Sequence, residues 1–156
     1  MATTDLIGPA MQALLANVQL ELSPSVGRAA LYPGGEVAWD DCCDGQLWVR
    51  LAAILPNPGA GQPCGVMTWT ATFGIGVVRC ISVLDDEGRA PAPAALTTDT
   101  LRMTGDTAAL IKAIQCQAIP RAESLTVVRW EPLGPEGGCA GGEWLVSVKF
   151  MNCGCE

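Results

Sequence analysis

At 156 residues, 49% apolar and only 16% charged, the chain is long enough for one domain with a proper core. Its charge falls below the roughly 25% typical of soluble domains, leaving little polar surface to cover that core. Nine basic against sixteen acidic side chains, a net charge of −7, disfavour direct nucleic-acid binding but not an acidic ring that merely surrounds passing DNA.

Leu6, Ile7, Met11, Leu14, Leu15 and Val18 recur at helical spacing and predict an amphipathic helix over 3–19, with Thr3 or Thr4 as its cap. Pro9 suits only a first turn, so the regular helix is expected to begin there. Ser23-Pro24-Ser25-Val26-Gly27 ends it. From Arg28 to Asp41 an apolar stretch punctuated by Tyr32-Pro33-Gly34-Gly35 reads as a strand or a loop with a turn, and a strand follows near Gln46 to Leu55.

Asn57 to Pro63 reads as a loop. Met67, Trp69, Ala71 and Phe73 then alternate with Thr68, Thr70 and Thr72, the surest strand in the sequence. Gly74 and Gly76 interrupt the alternation before Val77–Val83 resumes it, which suggests a bulge within one long strand, or else a tight bend. After a loop at Asp85–Arg89 and the Ala-Pro alternation of 90–94, Met103, Thr107, Leu110, Ile111 and Ile114 predict a second helix over 96–117, with a kink or break at Gly105. Leu125–Trp130 and Trp144–Met151 read as two strands of a hairpin joined by a long Gly/Pro-rich tip, Pro132 to Gly142. The expected fold is α+β: one domain over 1–156, its mostly antiparallel sheet carrying two helices packed on one side.

The absence of histidine removes the commonest general base and the partner of most Ser and Cys nucleophiles, which argues against a hydrolase triad. Asp40-Asp41 and Asp85-Asp86-Glu87 are better read as solvated turn carboxylates than as an acid/base pair or a cation site. Gly74-Ile75-Gly76 and Gly134–Gly142 lack the GK[ST] or GxGxxG context of a phosphate loop. No catalytic, cofactor-binding or metal-binding residue is assigned.

Eight cysteines, Cys42, Cys43, Cys64, Cys80, Cys116, Cys139, Cys153 and Cys155, admit three readings. A zinc site would need four thiolates to converge, and the adjacent Cys42-Cys43 and the Cys153-Gly154-Cys155 spacing differ from common zinc pairs. The even count and loop-edge positions favour one or more disulfides, formed only outside a reducing cytosol. Buried free thiols, above all Cys80 and Cys116, are the third reading. Of Trp39, Trp48, Trp69, Trp130 and Trp144, most are expected in the core and one or two at an interface.

The N-terminus shows neither a positive n-region nor a sustained apolar one, and no apolar run approaches the ~20 residues of a bilayer span. A cytosolic chain is therefore expected, without membrane partners, unless a particle carries it outside.

The stretch 35–51 (GEVAWDDCCDGQLWVRL), then Val78-Arg79-Cys80, and 130–144 (WEPLGPEGGCAGGEW) resemble small neck and tail proteins of actinobacterial long-tailed bacteriophages, the tail terminators above all. The resemblance implies a terminator-like α+β fold, no enzymatic activity, no cofactor, and a virion protein assembled in the host cytoplasm. It also implies a homohexameric ring capping the tail tube, touching the tube protein and the head-tail connector or stopper, and encircling DNA without binding it specifically. A head-tail stopper or another minor neck or capsid protein is the alternative within that class. A cysteine-stapled secreted binding module, and more remotely a metal enzyme using Asp85-Asp86-Glu87, are alternatives outside it.

Overall fold

The structure, a computed structural model, describes residues 5–57 and 66–153, with side chains for all of these except 66, 67, 152 and 153. Helix α1 spans Ile7–Glu21. Its first amides, on Ile7 and Gly8, both donate to Oδ1 of Asp5 at 3.0 Å. Asp5 therefore supplies the acceptor that sequence reading sought at Thr3 or Thr4, which lie outside the described residues. Pro9 is the third helical residue, where an amide would find no partner in the helix, so it is tolerated and the helix starts ahead of it. Ala10, Met11, Leu14 and Val18 form its buried stripe.

Strand β1, Arg28–Tyr32, runs parallel to β2, Gln46–Asn57, and all further pairings are antiparallel. With β3 at Val66–Cys80, β4 at Ala122–Glu136 and β5 at Cys139–Cys153, the sheet order is β1-β2-β3-β5-β4. Alternate residues of the inner strands, Leu47 and Val49, Phe73, Ile75 and Val77, Val146, Val148 and Phe150, pack in one core with α1 and with Leu110, Ala113 and Ile114 of α2, Pro93–Cys116. Both helices thus cover the same face, as the alternation in β3 and β5 requires. The fold is the expected α+β arrangement.

Helix α2 begins three residues before its predicted start, because Pro93 suits the first helical turn. It continues through Gly105 without the expected break. Its threonines are accommodated by bonding back to the helix: Thr97, Thr98, Thr100 and Thr107 donate to the carbonyl four residues earlier.

Two strand predictions need correction. No bulge lies at Gly74 or Gly76: β3 pairs with β5 in continuous register, and the irregularity falls on β2, between Leu51 and Ala53. The β4–β5 hairpin has no long tip either. Its strands extend to a two-residue turn, Gly137-Gly138, with φ of +57° and +79°, a conformation that glycine adopts without strain. Gly141 and Gly142 stay in the ladder because Val77 and the Trp130 ring lie where a side chain would stand. The loop expected at 57–63 lies outside the described residues from 58 onward.

Candidate functional site

The face of the sheet opposite the helices carries a second, smaller core of Cys42, Trp48, Val78 and Cys139, covered by Tyr32, Val37, Trp39, Cys80 and Leu133. The segment 33–45 between β1 and β2 folds over this face. Buried Gln46 holds it there, donating from Nε2 to the Tyr32 hydroxyl at 2.7 Å and to the Ala38 carbonyl at 2.9 Å. Trp39 stacks on Trp48, with ring centroids 6.2 Å apart and planes 17° from parallel.

Between this segment and the β4–β5 hairpin lies a cleft of about 480 Å³. Trp48, Arg50 and Glu143 line its inner part, while Glu36, Glu131 and Glu136 add carboxylates nearer solvent. Trp48 and Glu143 are both cross-strand partners of Gly76, one from each side, and the indole N–H donates to Glu143 Oε2 at 2.9 Å. Arg50 Nε donates to the same carboxylate at 3.0 and 3.2 Å, and its Nη2 completes a fork on Oε1. A Cβ on Gly74 would stand 2.5 Å from Glu143 Oε2, and one on Gly76 would overlap the Trp48 ring. These glycines therefore clear space for the cluster, which is why they interrupt the alternation. The bonds to Glu143 hold the Arg50 pKa above its usual range, so the guanidinium stays charged.

A second ionic cluster lies under the helices. Arg79 donates from Nε to Asp106 Oδ2 at 2.6 Å and from Nη2 to Oδ1 at 3.1 Å, and Nη2 also reaches the Pro24 carbonyl at 2.6 Å. Both side chains are buried, so the pair ties α2 and the turn after α1 to β3. Arg50, Glu143, Arg79 and Asp106 have no role assigned from the sequence. Their signal was present: Arg50 and Arg79 stand alone among apolar strand residues, and Asp106 shares a helical stripe with Leu110 and Ala113.

Asp40 lies in a bend and Asp85-Asp86-Glu87 in a turn, as expected of turn carboxylates. Asp85 accepts from the amides of Glu87 and Arg89 and from Arg89 Nε, with the Arg89 amide the largest influence holding its pKa below the usual range. Asp40 is lowered chiefly by the Asp41 amide.

Among the described residues four cysteines are paired, Cys42–Cys139 and Cys43–Cys80, with Cα–Cα separations of 6.0 and 4.5 Å. Cys80 is thus bridged rather than a free thiol, and Cys116, unpaired, is exposed rather than buried. Cys64 and Cys155, and the Cys153 side chain, lie outside the described residues. With Cys42, Cys43, Cys80 and Cys139 closed in bridges, no group of three or more His, Cys, Asp or Glu among the described residues is placed to hold a metal ion, and none of the described helices is long and apolar enough to cross a membrane. Of the tryptophans, Trp48 is fully buried, Trp130 and Trp144 pack edge to face against the main core, and Trp39 and Trp69 remain part-exposed.

Large apolar side chains are exposed at two places along β3, beside Thr70 and Ala71 and beyond its last residue, Cys80. At the first of these β2 has run past β1, whose last partner is Arg50, so among the described residues Ala52–Asn57 has no strand on its outer side. There Ile54 is 41% and Leu55 59% exposed. At the second, Val83 and Leu84 follow β3, and the first half of α2 adds Leu96 and Leu101, the last 65% exposed. This half of α2 is fastened to the end of β3, since Ser82 N donates to Asp99 Oδ2 at 2.7 Å and Arg102 reaches the Cys80 carbonyl. From Ala71, opposite Ile54, to Cys80 the strand spans about 30 Å.

The chain matches no family model and no curated protein. The site offers shaped, charged and apolar contact surface, with its one deeply buried carboxylate, Glu143, fully engaged by Arg50 and Trp48.

Proposed function

We propose that this chain is a virion structural protein, a tail terminator that assembles as a homohexameric ring, caps the tail tube and joins it to the head-tail connector. The observation that carries the reading is the exposure of large apolar side chains at two places along β3, Ile54 and Leu55 beside Ala71 and Thr70, and Val83, Leu84, Leu96 and Leu101 beyond Cys80, with about 30 Å of strand between Ala71 and Cys80. A ring of identical subunits closes through heterologous contacts, in which one surface of each copy meets a different surface of the next. Two separated patches on one rigid strand supply such surfaces, and exposed apolar area of this kind marks protein contact. The resemblance of 35–51 and 130–144 to phage neck and tail proteins supports the same reading.

Length control in this account is mechanical. The ring covers the growing face of the last tube layer, stops polymerisation, and presents a new face to the head. Work of this kind needs contact surfaces and no proton shuttle, which fits a chain without histidine.

Deleting the gene from a phage that carries it tests the assignment. Overlong tails without heads are the expected product. Tails of normal length beside heads that leak DNA would overturn the terminator in favour of a stopper.

A further inference from the structure

The four bridged cysteines come from three separate segments yet meet at one rung of the sheet. Cys80, the last residue of β3, and Cys139, the first of β5, are direct cross-strand partners, which puts their side chains on one face about 5 Å apart. Cys42 bonds to Cys139 and Cys43 to Cys80, and across the two bridges the sulfurs of Cys42 and Cys80 are 3.9 Å apart. Adjacent residues on a strand would point to opposite faces. Here Cys42 and Cys43 enter a turn closed by the Gly45 amide on the Cys42 carbonyl at 2.9 Å, with Gly45 at φ +79°, and both reach the same rung.

Zinc bound by four thiolates has Zn–S distances of about 2.3 Å, so the sulfurs of a tetrahedral site lie about 3.8 Å apart. With the bridges closed, one of the six distances such a site needs, Cys42 to Cys80, already has that spacing, and opening the bridges frees the two bonded pairs to reach it. From this geometry we infer that, when the bridges are reduced, Cys42, Cys43, Cys80 and Cys139 form a tetrathiolate site for one zinc ion. Reducing the two bridges takes four electrons and four protons and yields four thiols. Zinc then displaces the four thiol protons to solvent, with no change in oxidation state. Closing each bridge again passes two electrons from a pair of thiolates to an oxidant such as a small-molecule disulfide, which is reduced to two thiols, and releases the metal.

The surroundings suit such a site. Cys42 and Cys139 are buried, while Cys43 is exposed and leaves a path for the ion. The unusual vicinal spacing, which argued against zinc in the sequence, is accommodated by the turn at 42–45. Zinc and the bridges would then be alternative staples of one joint, the metal where thiols stay reduced and the disulfides where they do not.

The test uses the full chain, reduced by two equivalents of a phosphine, each of which gives up two electrons and becomes a phosphine oxide. Zinc is added without oxygen, and cobalt replaces it as the spectroscopic probe. One metal per chain with a tetrahedral thiolate spectrum is expected. Cys80→Ser and Cys139→Ser, on different strands, should each lower affinity at least tenfold, while a chain with Cys64, Cys116, Cys153 and Cys155 all changed to serine should bind as before. If the reduced chain unfolds, zinc should restore its circular dichroism. A reduced chain, folded or unfolded, that takes up no metal would overturn the inference, as would metal bound equally well without Cys80 or Cys139.

Discussion

Trp48 and Glu143 meet over the bare backbone of Gly76, the indole N–H donating to the carboxylate at 2.9 Å from two strands that do not pair with each other. A methyl group at residue 76 would overlap the indole ring. Gly76→Ala is therefore expected to cost about 1–3 kcal/mol, the usual range for overpacking. Gly105, on the open side of α2, has nothing within reach of a Cβ, so Gly105→Ala should stabilise by roughly 0.5–1 kcal/mol. Denaturant unfolding of the two variants checks both signs.

Arg79 and Asp106 form a forked ion pair between β3 and α2, buried on both sides. Removing one partner strands the other charge away from water, so Asp106→Ala should cost about 3–5 kcal/mol. Replacing both by leucine should cost much less than the single change, because no unpaired charge is left. A double-mutant cycle in denaturant measures the difference.

The architecture was largely legible because strand alternation and helical stripes are local signals. The alternation of Met67, Trp69, Ala71 and Phe73 with threonines oriented β3, whose Ala71 and Phe73 lie in the core, and Leu110 with Ile114 oriented α2. Where the reading failed, a distant side chain had decided the local backbone. Gly141 and Gly142 looked like loop because nothing local reveals that Trp130 packs over one and Val77 crowds the other. Gly74 and Gly76 looked like a bulge because the bulky groups they admit, Arg50, Trp48 and Glu143, are far apart in sequence. The cleft was invisible for the same reason, its floor being assembled from β2 and β5 on either side of β3. Cysteine pairing follows topology rather than spacing, so the sequence supported bridges without showing which.

The Cys43–Cys80 bridge spans 37 residues and ties the 33–45 segment to the end of β3. In the oxidised chain, Cys43→Ser with Cys80→Ser should lower stability by about 2–4 kcal/mol, mainly by freeing the unfolded chain. Thermal unfolding under oxidising and reducing conditions checks this: the variant and the parent should differ less once a reductant is present without metal.

Asp85 is held below the usual carboxylate range first by the Arg89 amide and only then by the Arg89 side chain. A carboxyl lowered in the fold contributes stability above the ordinary carboxylate pKa and loses it as pH falls through the folded value. The 85–89 turn should therefore loosen only in acid, below the pH at which an unrestrained aspartate titrates. Carbon-detected NMR titration should find Asp85 still low in Arg89→Ala, which keeps the amide, and returned towards normal in Arg89→Pro, which removes it.

The ring itself is tested most directly by electron microscopy of tail tubes capped with this chain. The account predicts six-fold density at the head-proximal end, in which Ile54 and Leu55 of each copy contact the Leu84 and Leu101 surface of its neighbour. Density without six-fold symmetry, or a six-fold ring that leaves both apolar patches open to solvent, would contradict it.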